Sequence, residues 1–154
     1  KLINARGETV HEKASFRDAF KTQRCLIVAD GFYEWQKQDD GAKQPMFIHL
    51  KSRAPFGMAG LYAHWTDPTS GEVLTTCTII TTAANTVMQP LHHRMPVILA
   101  PERYAAWLDP QNNEPEFLRM LMQPISGVHM AYYPVSRKVN TPANDDPSLI
   151  ARVG

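Results

Sequence analysis

Cysteine is nearly absent from this chain: two in 154 residues, Cys25 in RCLIVADG and Cys77 in LTTCTIITT. With no second thiol or histidine at ligand spacing beside either, a disulfide scaffold and a structural zinc site are both excluded. Each cysteine lies in an apolar or β-branched run, so both read as buried strand residues rather than nucleophiles. An excess of charge is also missing, since 16 Lys and Arg face 15 Asp and Glu for a net of +1. No global field therefore draws the protein to nucleic acid or membrane, and any polyanion site must be local. The longest apolar runs, such as Cys25 to Ala29, fall far short of a spanning helix, and the start lacks a charged segment followed by an apolar one. The chain reads as soluble and unsecreted. Glycine is sparse at 8 against 12 prolines, which argues against a helical bundle and for short elements joined by fixed turns.

What is present fits one globular domain over residues 1–154, with 44% hydrophobic and 20% charged residues and no repeat or linker to divide it. Phe16, Ala19 and Phe20 at helical spacing behind Ser15 predict a helix around residues 12–21. The run from Arg24 to Gln36, the turn-forming Asp39-Asp40-Gly41 and the alternating PMFIHLK predict a hairpin whose second strand is half buried. Residues 57–65 and 72–80 predict a second hairpin across TDPTSG. VILA and HMAYYPVS read as further strands, and short helices are expected from Pro101 to Leu108 and around Phe117 to Met122. These signals predict a strand-rich α+β fold, a mostly antiparallel, barrel-like sheet with short peripheral helices.

Four stretches place polar groups where neither core nor turn needs them. Asn4 and Arg6 alternate with Ile3 and Ala5, so an amide and a guanidinium project from one face of a strand-like segment. Glu34 stands in GFYEW between aromatic neighbours, where desolvation tunes a carboxylate toward general acid–base work. A surface-face glutamate on an edge strand is an equal alternative. His92, His93 and Arg94 occupy a loop stiffened by Pro90 and Pro96, and histidine suits proton transfer near neutral pH, although each histidine taken alone also suits a structural role. Arg137 and Lys138 follow PVS, beside Asn140, as a phosphate-holding pair or as a solvated basic turn. No Gly-rich phosphate loop, GxSxG elbow, HExxH or paired CxxC occurs, and no nucleophile stands out among these residues.

Taken in order, the stretches Asn4-Ala5-Arg6-x-Glu8-Thr9, Gly31-Phe32-Tyr33-Glu34-Trp35, His92-x-Arg94-Met95-Pro96 and Pro134-Val135-Ser136-x-x-Val139-Asn140, with Thr81 in IITTAAN, resemble the SRAP family. That family is named for SOS response-associated peptidase, and its members are also called abasic-site processing proteins. The resemblance spans essentially the whole chain and implies a cysteine, exposed by removal of the initiator methionine, that joins the ring-opened aldehyde of an abasic site in single-stranded DNA as a thiazolidine. An α-amine with a pKa of about 8 is partly neutral at cellular pH and forms the imine that its neighbouring thiol traps. By resemblance, Glu34 and His92 serve the proton transfers and Asn4 positions the amine. Arg6, Arg94 and Arg137 hold flanking phosphates, and Thr81 and Trp35 complete the DNA-binding set. The same resemblance implies no cofactor or metal, no membrane, and a monomer acting on abasic single-stranded DNA beside replication-associated proteins, in the bacterial cytoplasm at the nucleoid or in a eukaryotic nucleus.

Two departures accompany it. The position between His92 and Arg94, usually acidic in the family, is His93. Lys1 opens the sequence without a methionine in what looks like mid-strand, KLINAR, so the family's Met-Cys-Gly-Arg start and roughly a third of its fold are expected outside this sequence. A thiol peptidase using the same cysteine with Glu34, and a non-catalytic strand-rich domain binding nucleic acid or protein, are the competing readings.

Overall fold

A computed structural model describes residues 2–154; Lys1, the first residue of KLINAR, lies outside them. In chain order the regular elements are β1 (Asn4–Arg6), α1 (Arg17–Thr22), β2 (Arg24–Ala29), β3 (Phe32–Lys37), β4 (Lys43–Leu50), β5 (Phe56–Thr66), β6 (Val73–Ala83), β7 (Arg94–Pro96), α2 (Tyr104–Leu108), α3 (Pro115–Leu121) and β8 (Met130–Pro134), with short 3-10 turns between them. This is the strand-rich α+β fold that the recurring strand signals predict, although its sheets do not close into a barrel. No helix of the described residues is long and apolar enough to cross a membrane.

The chain divides into two compact units, each assembled from three separated stretches. The first contains residues 2–28, 56–82 and 96–125. Its strands are ordered β1–β6–β5–β2, with β1 parallel to β6 and β5 antiparallel to it. The hairpin across TDPTSG forms as expected: Asp67 Oδ1 accepts the N–H groups of Thr69 and Ser70, and Gly71 supplies the positive φ of 72° that the turn requires. Helix α1 begins at Arg17 rather than near residue 12, and Ser15 does not cap it. The expected strand VILA reduces to one bridge, Ile98 with Met58, following the three-residue β7.

Phe20, Ile80, Val97, Leu99, Trp107 and Leu118 form the centre of this unit's core, where Phe20 meets Trp107 edge-on at 6.1 Å. Among them lies a charge. Arg24, 5% exposed, spends all five of its N–H groups on backbone carbonyls. Nε donates to Trp107 (2.7 Å), Nη1 to Phe20 (2.8 Å) and Lys21, and Nη2 to Asp109 (2.5 Å) and Asn112 (2.8 Å). Phe20 and Lys21 lie in the last turn of α1, and Trp107 and Asp109 at the end of α2, so one guanidinium satisfies orphan carbonyls at two helix C-termini, where a cation is also favoured by the helix dipoles. Burial lowers the Arg24 pKa, and Asp109 opposes that shift.

The second unit contains Ala29–Pro55, Ala83–Met95 and Ser126–Gly154, and its antiparallel sheet runs β3–β4–β8. The run from Arg24 to Gln36 is thus two strands, broken at Asp30-Gly31, with β2 in one sheet and β3 in the other. The hairpin β3–β4 turns where expected, with Asp40 Oδ1 accepting the Ala42 N–H and Gly41 at φ 82°. Strand β4 is buried on both faces from Pro45 to His49 rather than on one. Its central position explains this: Phe47 packs with Tyr133, Val135 and Tyr33 on one face, while Met46 and Ile48 are buried on the other.

Replacing Arg24 with Met leaves five carbonyls without their shared donor, several of them buried, and should destabilise the protein by about 3 kcal/mol or more. Arg24→Lys, which restores the charge without the planar fork, should recover only a minor part of the loss. Urea denaturation midpoints of the three proteins measure this; a Met variant as stable as the parent would remove the role assigned to Arg24.

Candidate active site and nucleic-acid interface

The second unit brings three of the four polar stretches into direct relation, and β3 is the element that does so. Alternation along the strand sends Phe32, Glu34 and Gln36 to one face and Tyr33, Trp35 and Lys37 to the other. Glu34 lies opposite Met46 in the β3–β4 register, and Trp35 opposite Pro45. The two aromatics that adjoin Glu34 in sequence, Tyr33 and Trp35, are therefore on the far face of the strand, with Tyr33 5.6 Å from Phe47 in the core, and they do not enclose the carboxylate. Glu34 keeps a quarter of its side chain in solvent and points toward the histidine loop, its Oε2 lying 4.0 Å from His92 Nδ1.

That loop is ordered by local sequence. Asn85 Oδ1 accepts from the Val87 and Met88 N–H groups, while the Leu91 and His92 N–H groups donate to the Met88 carbonyl. Met88, Leu91 and Met95 are buried anchors at successive points of the same stretch. At its end the Arg94 N–H donates to His92 Nδ1 at 3.1 Å. Nδ1 lies equally near the Arg94 carbonyl, at 3.1 Å, so it accepts from the one group or donates to the other according to the ring's tautomer, with the Glu34 carboxylate 4.0 Å away. A carboxylate and an imidazole at this separation can share the acid and base roles of one proton-transfer sequence. His93 is exposed and lays its ring against that of His92, centroids 4.3 Å apart. Gln36, on the Glu34 face, donates to the Pro90 carbonyl at 3.3 Å and ties the strand to the loop.

On the other face, the Trp35 indole N–H donates to Asn140 Oδ1 at 2.8 Å. Asn140 ends a 3-10 turn, Arg137–Asn140, whose Ser136 Oγ accepts the Lys138 N–H and whose Val139 packs against the Phe47 cluster. Arg137 opens that turn, exposed to solvent. The Trp35–Asn140 link was not legible from composition or spacing, because 105 residues separate its ends.

The remaining candidates belong to the first unit. Asn4 and Arg6 are exposed on β1 with Ala5 buried between them, as the alternation predicts. Arg6 pairs in register with Thr81, whose hydroxyl donates to the Ala5 carbonyl at 3.3 Å. The two cysteines are less buried than expected: Cys25 is half-buried on β2 and Cys77 exposed on β6. Among the described residues no group of three or more His, Cys, Asp and Glu side chains converges as a metal site.

A strand-rich α+β chain that sets a carboxylate 4.0 Å from a loop histidine and exposes arginines on separate elements defines a class of domain. Comparison gives that class its family. The sequence model of SOS response associated peptidase (SRAP) matches residues 1–142, and the chain belongs to this family. It is 50% identical over 150 residues to the abasic site processing protein YoqW of Bacillus subtilis (strain 168), a match covering 97% of this chain and 66% of YoqW. The abasic site processing protein HMCES of Xenopus tropicalis is 36% identical over 172 residues, covering 99% of this chain and 50% of HMCES. A crystal structure of a Bacteroides thetaiotaomicron protein superposes with a TM-score of 0.90 at 33% identity, over 97% of this chain and 65% of that one. The chain thus spans less than two thirds of the length of these relatives.

The thiols give a direct check on the packing of the first unit. Burial, and then the neighbouring Cys77, push the Cys25 thiol pKa up, which reduces its thiolate at neutral pH. Iodoacetamide at about pH 7.5 should label the exposed Cys77 well before Cys25, whose reactivity should climb as pH rises above that value. Peptide mass spectrometry reads the order; Cys25 labelled first would contradict the packing of β2.

Proposed function

We propose that this chain acts in the processing of abasic sites in single-stranded DNA, as the part of a SRAP protein that supplies proton transfer and phosphate contacts for a covalent thiazolidine crosslink. The Glu34–His92 pair carries the reading, in a chain whose close relatives are named abasic site processing proteins. In the proposed chemistry, the α-amine of an amino-terminal cysteine adds to the ring-opened aldehyde of the lesion. Loss of one water gives the imine. The thiol then adds across C=N, its sulfur bonding to the former aldehyde carbon and its proton ending on nitrogen, so that one water is the only species released. Opening of the sugar hemiacetal and expulsion of water each require a proton to be delivered and another removed, and Glu34 and His92 divide these tasks. Asn4 orients the amine. Arg6, Arg94 and Arg137, with Thr81 and Trp35, hold the strand on either side of the lesion.

Cys25 and Cys77 are not the reacting residue in this scheme. Each lies inside the chain, where its nitrogen is an amide and cannot close the five-membered ring. The crosslink shields the lesion as part of the response to DNA damage. A peptidase reading, favoured by the family's descriptive name, uses the same amino-terminal cysteine and is separated from this one by its product.

A protein extended to begin with Met-Cys-Gly-Arg should form a heat-stable adduct with an abasic single-stranded oligonucleotide on a denaturing gel, whereas the 154-residue chain should not. Glu34→Gln and His92→Ala should each slow adduct formation by about 100-fold, the usual weight of one acid–base group. Noncovalent affinity of either form should fall steeply with salt and vary little with sequence. An adduct formed by the 154-residue chain and lost on Cys25→Ala or Cys77→Ala would overturn the scheme, and unchanged rates in both Glu34 and His92 variants would remove the proton-transfer role assigned to this pair.

A further inference from the structure

The Trp35–Asn140 hydrogen bond joins two polar stretches on the face of β3 opposite Glu34, and nothing in the proton-transfer scheme uses it. Trp35 is only half-buried, so its indole could rotate about χ1 and χ2 unless something held it. Asn140 Oδ1, 2.8 Å from Nε1, is the group that does so. The asparagine is itself fixed: Val139 is packed in the Phe47–Tyr133–Val135 cluster, Ser136 caps the turn, and Asn144 Nδ2 donates to the Lys138 carbonyl at 2.8 Å. In a 3-10 turn, side chains three apart emerge on the same side, which places Arg137 and Asn140 together. One short rigid segment thus presents a cation and the clamp of an aromatic ring side by side. A phosphate and the base of the same or the next nucleotide have the same pairing of chemistries.

We propose that Asn140 is a positioning residue that holds the Trp35 indole as a fixed stacking platform for a base flanking the lesion, in register with a phosphate held by Arg137. This rests on the single-stranded DNA reading above. An abasic site leaves each neighbouring base with one uncovered π-face, and an indole held in place covers it without first losing rotational freedom. The ring's only polar group is turned to Asn140, so the platform offers no hydrogen bond to a base edge and reads no sequence.

A double-mutant cycle on the chain tests this, with fluorescence polarisation of a labelled oligothymidylate carrying one tetrahydrofuran abasic analogue as the readout. Asn140→Leu should weaken binding about three- to tenfold, the weight of one lost neutral hydrogen bond, without changing the slope of log K against log salt, because no phosphate contact is removed. Trp35→Phe removes the indole N–H, so adding Asn140→Leu to it should cost less than about twofold more. A general structural loss would instead weaken the Trp35→Phe background as much as the parent. Equal effects in both backgrounds, or no effect of Asn140→Leu while Trp35→Ala weakens binding, would overturn the positioning role and leave the DNA reading standing. Unchanged binding in both Trp35→Ala and Arg137→Ala would overturn the DNA reading at this face, and the positioning role with it.

Discussion

A one-residue slip of β3 against β4 would exchange the two faces of the strand, carrying Glu34 into the packed aromatic side and Trp35 toward the histidine loop. The whole candidate site of the second unit depends on that slip not happening. Six antiparallel pairs, from Phe32 opposite Ile48 to Lys37 opposite Lys43, hold the register. Gly31 pins its start, because a Cβ there would stand 2.1 Å from Phe47 Cζ and 2.7 Å from the Ile48 carbonyl oxygen. Only the missing side chain lets the strand enter so close to the Phe47 ring. From that register follow the approach of Glu34 to His92, the reach of Gln36 to Pro90 and the bond from Trp35 to Asn140. Three consecutive residues thus tie one edge strand to two loops.

The first unit uses a different device. Helices of five and six residues have more unsatisfied terminal groups than satisfied ones, and α1 and α2 would be marginal alone. Arg24 gathers the carbonyls at both their ends, and the Trp107 indole returns a bond to the Cys25 carbonyl at 2.9 Å beside it. A carboxylate partner would have satisfied the charge with fewer bonds and left those carbonyls bare. With carbonyls alone, the fully forked guanidinium is what makes its burial tolerable.

Much of this was legible in the sequence where chemistry is local. The hairpin turns at Asp40-Gly41 and Asp67–Gly71, the helical start at Pro101, the apolar spacing from Phe117 to Met122 and the alternation of Asn4 and Arg6 about Ala5 all follow from turn chemistry and local periodicity. The motifs single out Glu34 and His92, and the structure places them 4.0 Å apart. Arg24 escapes a reading of the sequence because all its partners are backbone carbonyls, which carry no sequence identity. Of the aromatics expected around Glu34, Tyr33 and Trp35 lie on the opposite face, because adjacent residues of a strand alternate in space, and only Phe32 shares the Glu34 face. Burial of β4 on both faces depends on which strand is central, a fact of topology rather than of its own residues. Cys77 looks buried for its β-branched surroundings, yet much of β6 is open to solvent.

The tryptophans provide the most direct test of where single-stranded DNA meets this protein. Trp35 is half-buried on the strand that carries Glu34, facing the opposite side, Trp65 lies 53% exposed on the β5–β6 hairpin, and Trp107 is fully buried as an internal standard. Hydroxyl-radical footprinting resolved by mass spectrometry, with and without an abasic single-stranded oligonucleotide, reports all three at once. The account predicts protection of Trp35 together with His92 and His93, with Trp65 and Trp107 unchanged. Protection of Trp65 with Trp35 and His92 unaffected would contradict it.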